Sequence, residues 1–259
     1  MAVPLPAVIT EGITFVVVSF VVIMLYIRYV NRRKPAALAL AVAFNFWDFG
    51  ALFLFLGKLI QYLIEHNIIA NPKGIQFSDL GINIGYGFSA LSNVFIVVFV
   101  AIVFSQSPMF RVSKMLLPIV YGAFNGVTIG LLIGATTNTW PSPEYSLVPT
   151  LYHLVLTFFS FSLLMAFTIK PLQNATLRWE KAGFQFIVVS ATFGILIYLS
   201  FAIDFVLGSG GLFPVFPEGF TPFYYLAYGF AILMCSFAYL GYVMPDFVRK
   251  WFKEPELAK

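Results

Sequence analysis

The chain has 259 residues, of which 60% are hydrophobic, 19% aromatic and only 10% charged; its net charge is +4 and its mean hydropathy +0.91. A soluble domain carries roughly 25% charged and about 45–50% apolar residues, so these few charges cannot cover a water-facing surface. A soluble enzyme, a disordered chain, a disulfide scaffold (Cys235 is the single cysteine) and a basic nucleic-acid binder are excluded. What remains is an integral membrane protein.

About 20 apolar residues cross a bilayer core of roughly 30 Å. Seven stretches meet that length, at 8–30, 36–62, 79–104, 115–136, 147–169, 183–206 and 222–244. The expected fold is an all-α bundle of seven transmembrane helices, one domain over residues 1–245, with a short basic tail over 246–259. The first stretch is too long for a signal peptide, lacks a basic leader and has no small-residue cleavage site. Pro35 opens the second stretch and Pro149 the fifth, while Pro171 and Pro245 are expected to follow the ends of the fifth and seventh.

Lys and Arg resist translocation, so their distribution predicts orientation. Thirteen of the fifteen cations fall in the first, third and fifth connections and the tail; only Lys58 and Lys73 fall on the other side. The N-terminus is therefore expected outside and the C-terminus in the cytoplasm, in a multi-pass protein of the cell membrane. Trp140 is expected at the outer boundary, and Trp179 and Trp251 at the inner one. The tail sets Phe247, Val248, Trp251 and Phe252 among basic residues, as in a helix lying on an anionic leaflet; a frayed charged tail is the alternative. Of the outer loops, the apolar, proline-rich Gly208–Pro222 segment is either a lid over the bundle or a loop resting on lipid headgroups.

Three constellations stand out. In the fourth stretch Gly122, Gly126, Gly130 and Gly134 recur every four residues, which keeps them on one face. Small residues so spaced let another backbone approach closely in lipid, within the chain or in a second protomer. Gly81 and Gly85 form a shorter version in the third stretch. Near the midplane, a polar layer is expected from Asn45, Asp48, Asn93 and Asn125, with Ser160 and Ser236. Asp48 lies about twelve residues into its helix, roughly 18 Å deep at 1.5 Å per residue. An ionisable group at that depth faces a bundle interior or a wet cavity. It is either a neutral acid bonded to the asparagines, a proton or cation switch, or part of a transport path. In the outer half, Lys58, Tyr86, His153, Asp204, Tyr224, Tyr225 and Tyr228 are placed to line an outward-facing aromatic pocket. Interfacial anchoring is the competing reading, since Lys58 and Asp204 lie close enough to the boundary to snorkel.

Absences narrow the chemistry. The seventh stretch has no lysine for a retinal Schiff base, and only two histidines, His66 and His153, are present. Paired haem ligands, a histidine-rich metal site, hydrolase motifs and phosphate-cradling loops are all missing, so no enzyme activity, cofactor or metal is expected.

The turn Ile27-Arg28-Tyr-Val-Asn-Arg32-Arg33-Lys34-Pro35 and the ending Gly241-Tyr-Val-Met-Pro245-Asp-Phe-Val-Arg249-Lys250 sit in a seven-helix frame with an outside N-terminus. In these features the chain resembles the seven-helix sensor modules of some prokaryotic histidine kinases and their stand-alone archaeal relatives. The resemblance implies a receptor-like, sensory protein. Animal G-protein-coupled receptors differ in detail, since Phe104-Ser-Gln-Ser stands where their third helix ends on acidic-Arg-Tyr. Three functions remain open. A receptor would bind a small or lipidic ligand in the outer pocket and couple to a cytoplasmic or membrane partner. A non-catalytic accessory subunit would use its helices to join a larger membrane complex, and a homo-oligomer could form through the fourth helix. A small-solute transporter would arrange its helices as three, one and three. Membrane lipids are partners in each case, and nucleic acid in none.

Overall fold

A computed structural model describes residues 3–71, 73–112, 115–137, 147–208 and 219–252. Its long helices are α1 (Leu5–Arg32), α2 (Pro35–Glu65), α3 (Phe77–Val103), α5 (Leu116–Thr136), α6 (Leu147–Asn174), α7 (Arg178–Leu207) and α8 (Pro222–Val243). Two short ones, α4 (Pro108–Val112) and α9 (Asp246–Trp251), follow α3 and α8. The seven long helices are each long and apolar enough to cross a bilayer, so the chain is a multi-pass membrane bundle. Trp140, Lys114, Lys253, Lys259 and residues 209–218 of the expected lid lie outside the described residues.

Prolines open several of the helices. Pro35 and Pro222 occupy first-turn positions, where their missing N–H has no helical partner to lose. Pro171 departs from expectation, because it lies inside the last turn of α6 instead of after it. So close to a helix end it costs one backbone bond, and the chain continues to Asn174. Arg33 and Met244 end α1 and α8 in the left-handed region, at φ 51° and 44°. At Met244 that turn, followed by Pro245, redirects the chain so that α9 docks on the bundle, with Val248 buried.

Helices pack in a ring that follows chain order. Helix α1 contacts α2 and α8; α3 joins α2, α5 and α6; α7 bridges α6 and α8. We call the end holding the start of α1 and the start of α8 the N-face, and the opposite end the C-face. Helix α1 shows how the membrane inverts a soluble pattern: Ile9, Ile13, Val16, Phe20 and Ile23 point outward, while Ala7, Glu11, Thr14, Val18 and Leu25 point inward. Lipid is as apolar as any core, so the outward stripe needs no cover and the polar groups turn inside.

Close helix approach depends on glycine, but not on the α5 stripe. A Cβ at Gly57 would lie 2.6 Å from the Phe77 carbonyl oxygen and 2.9 Å from the Gly81 Cα, so α2 and α3 touch backbone to backbone. Gly50 and Gly85 repeat this contact deeper, and Gly183 and Gly241 do so between α7 and α8. On α5, a Cβ at Gly126 or Gly130 would meet nothing within 4 Å, and one at Gly122 only a Val94 methyl at 3.7 Å. Gly134 is buried. The four-residue spacing is real, but its middle members face away from the ring.

Candidate functional site

Two polar clusters occupy the N-face half. The first centres on Glu11 of α1, which is 1% exposed. Its Oε1 accepts hydrogen bonds from the hydroxyls of Tyr228, at 2.7 Å, and Tyr224. These tyrosines lie four residues apart on α8 and so share a face. Glu11 Oε2 is buried with no hydrogen-bond partner. From α2, the Lys58 ammonium donates to Ser78 Oγ at 2.6 Å and stands 4.9 Å above the Phe220 ring. Four carboxyl groups, those of Glu11, Asp79, Asp204 and Glu65, act on it electrostatically. Asp204, in the last turn of α7, accepts from the Thr221 backbone N–H at 3.0 Å and from its hydroxyl at 2.6 Å. Thr221 Oγ1 in turn accepts from Phe223 N and caps α8. Phe201, Phe220 and Tyr225 pack edge-on around Tyr224.

A rim ties this cluster to the helix ends. Glu65 accepts from the Val3 backbone N–H and from Gln61, and Gln61 Oε1 accepts from Phe77 N at 3.1 Å. Each buried charge thus meets hydroxyls, amides or aromatic faces from another helix.

The second cluster surrounds His153 of α6. Its Nε2 is 3.1 Å from Ser89 Oγ, which lies 2.6 Å from the Tyr198 hydroxyl. Asn93 donates to Thr157 Oγ1 at 2.7 Å, and Ser160 donates to Asn93 Oδ1 at 3.1 Å. Tyr86 and Tyr198 flank the imidazole at ring-centre distances of 5.3 and 5.7 Å. His153 is 1% exposed and its Nδ1 has no hydrogen-bond partner.

A cavity of about 50 Å³ lies between the clusters, with Tyr228 and Thr14 on one side and Tyr86, Ser89 and Tyr198 on the other. One water needs roughly 10–15 Å³ by such a measure, so a few waters fit. A drug-sized ligand, which takes about 300–1,000 Å³, does not.

The expected outer group therefore divides. Lys58, Asp204, Tyr224, Tyr225 and Tyr228 come together around Glu11; Tyr86 and His153 belong to the deeper cluster. The polar layer divides as well. Asp48 is half-buried and accepts from Ser19 of α1 at 2.8 Å, so its partner is a serine rather than an asparagine. Asn93 joins the His153 cluster. Asn125 donates to the Tyr121 carbonyl on its own helix, and Asn45 has no side-chain hydrogen bond among the described residues. Ser236 likewise bonds its own helix, at Ile232. Glu11 is the residue that sequence reasoning missed. It lies three residues inside the first stretch, a depth at which carboxylates usually meet water, yet it is the stretch's single carboxylic acid. Among the described residues no three His, Cys, Asp or Glu side chains converge as a metal site requires.

Compared with protein-family models, curated proteins and solved structures, the chain matches none of them.

Proposed function

We propose that the chain is a receptor-like sensory module of the cell membrane, with its N-face outside and its C-face in the cytoplasm. The orientation rests on the cations gathered in the C-face connections. The observation that carries the sensory reading is the Glu11–Lys58–Asp204 cluster, which gathers ionisable groups from α1, α2 and α7 at the start of α8, where Glu11 accepts from Tyr224 and Tyr228 and Asp204 accepts from Thr221. Ionisable groups enclosed at membrane depth are costly and mark function by default. Any change of charge there alters what holds α1 to α8. Helices α1, α7 and α8 also reach the C-face, where a cytoplasmic or membrane partner would read the shift. The cavity size limits the input to a water-sized solute or small ion unless the helices part.

Spin labels at Val30→Cys and Lys181→Cys, in a Cys235→Ala background, measure the C-face spacing of α1 and α7. Glu11→Gln keeps the side-chain shape and removes its charge, so the distance distribution should shift. An unchanged distribution in folded Glu11→Gln and Lys58→Met proteins would sink the sensory reading.

A second reading, an accessory subunit of a membrane complex, is favoured by α5, where Gly126 and Gly130 offer an open small-residue face. Purification in mild detergent separates the two. A stoichiometric protein partner lost in Gly126→Leu favours the subunit.

A further inference from the structure

A cleft of about 440 Å³ opens at the C-face between the ends of α1, α7 and α8, with α9 beside it. It is lined by Arg28, Arg249, Trp179 and Glu180 at polar positions, and by Phe184 and Ile187 on an apolar wall. Arg28 and Tyr242 also line an adjoining cavity of about 170 Å³, which Lys34 reaches. We propose that this cleft binds the phosphate headgroup of an acidic phospholipid, its phosphate between Arg28 and Arg249 and its glycerol and acyl start along Phe184 and Ile187.

Four observations carry the assignment. Arg28 and Arg249 come from elements distant in sequence, yet line one volume. Arg249 is brought there by the left-handed turn at Met244 and the Pro245 that follows it. It is held 4.6 Å from the Trp179 ring, which fixes a guanidinium without consuming all its donors. A guanidinium fork matches phosphate oxygens bidentately, as an ammonium does not. The volume falls in the range of small-ligand sites, and one wall is apolar, as a headgroup with attached chains requires. Cations outnumber the single carboxylate, Glu180, and basic pockets between transmembrane helices at a membrane face recognise acidic headgroups in this way. A phosphate in free solution offers the same oxygens but nothing for Phe184 and Ile187. This site lies at the opposite end from the Glu11 cluster and does not depend on the sensory reading.

The test uses the full chain in nanodiscs of phosphatidylcholine alone or with added phosphatidylglycerol, and bound lipid is counted by native mass spectrometry. Phosphatidylglycerol should be retained by the wild type. Its apparent affinity should fall about tenfold in Arg249→Ala and in Arg28→Gln, the loss of one charge-assisted contact. Lys250→Ala, on the exposed side of α9, should change it less than about twofold. Equal losses in all three variants would mean diffuse surface attraction and overturn the site. Equal retention of phosphatidylcholine would overturn the headgroup assignment. Glycerol phosphate competing at the same concentration as the lipid would overturn the lipid source. Melting in phosphatidylcholine checks folding; should Arg28→Gln not fold, Arg249→Ala and the glycerol phosphate competition still decide.

Discussion

The two ends of the bundle handle charge in opposite ways. At the N-face, Glu11, Lys58 and Asp204 are each at most 8% exposed and each is engaged by side chains of other helices or by an aromatic face. At the C-face, Arg28 and Arg249 line a cleft of about 440 Å³. Charges taken out of water must be satisfied by the protein itself, so the N-face cluster is part of what holds α1, α2, α7 and α8 together. Charges beside open volume can be reached by a molecule that enters it. Charged side chains thus act as structural ties at one end and line an open cleft, the proposed receiving surface, at the other.

The strongest break of this contrast is Glu11→Ala. It strands two buried tyrosine hydroxyls and removes a carboxyl group that acts electrostatically on Lys58, and each buried polar group left unsatisfied typically costs about 1–3 kcal/mol. The detergent melting temperature should collapse. Glu11→Gln combined with Lys58→Met should recover much of the loss, because removing both charges leaves neither uncompensated. A double variant as unstable as Glu11→Ala would mean that shape, not charge, matters there.

Next comes the glycine contact on which the N-face geometry rests. Gly57→Leu must push α2 from α3, since even a Cβ would sit 2.6 Å from a backbone oxygen; overpacking of this kind costs about 1–3 kcal/mol or more. Gly126→Leu should leave monomer melting within about 0.5 kcal/mol, as expected for an exposed site without such features. Reversed effects in the two variants, read by thermal melting, would return the structural role to the α5 stripe.

That pair marks where the sequence was legible and where it was not. Helix number and approximate span follow from hydropathy because each helix must satisfy the same bilayer thickness. Interfaces do not follow, because lipid-facing and buried positions are equally apolar: Gly126 and Gly57 look alike until the neighbouring helix is placed. The candidate site was half legible for the same reason. Lys58, Asp204, Tyr224 and Tyr228 share a shallow depth, and depth can be counted along a helix. His153 lies at a comparable count, but it turns toward α3 and α7, and rotation about the helix axis is set by packing. Glu11 was hidden because its shallow position also suits an interfacial carboxylate.

A smaller effect should come from Thr221→Val, which keeps the volume and removes the hydroxyl. That hydroxyl both donates to Asp204 and caps α8. The Thr221 backbone N–H still serves Asp204, so the loss should be about 1–2 kcal/mol, the scale of one cap and one hydrogen bond. Hydrogen exchange should quicken at the first turn of α8 and leave α3 unaltered. Exchange spreading evenly through the bundle would mean that Thr221 holds more than the α7–α8 corner.

Among the charged positions the least destabilising change should be Arg249→Ala, and its smallness is what the contrast between the two ends requires. Arg249 is exposed, and its visible attachment is the Trp179 face at 4.6 Å. A cation–π contact at such a site is worth about 0.5–1 kcal/mol. The helix it belongs to is also anchored by Val248, which is buried, and by Phe252 against Phe186. Melting in zwitterionic lipid should therefore fall by no more than that contact. If Arg249→Ala instead unfolds the protein as readily as Glu11→Ala, the C-face arginine is a structural tie like the N-face charges. A group that the fold cannot release is not free to receive a phosphate, so that outcome would remove the physical basis for a receiving surface at this end.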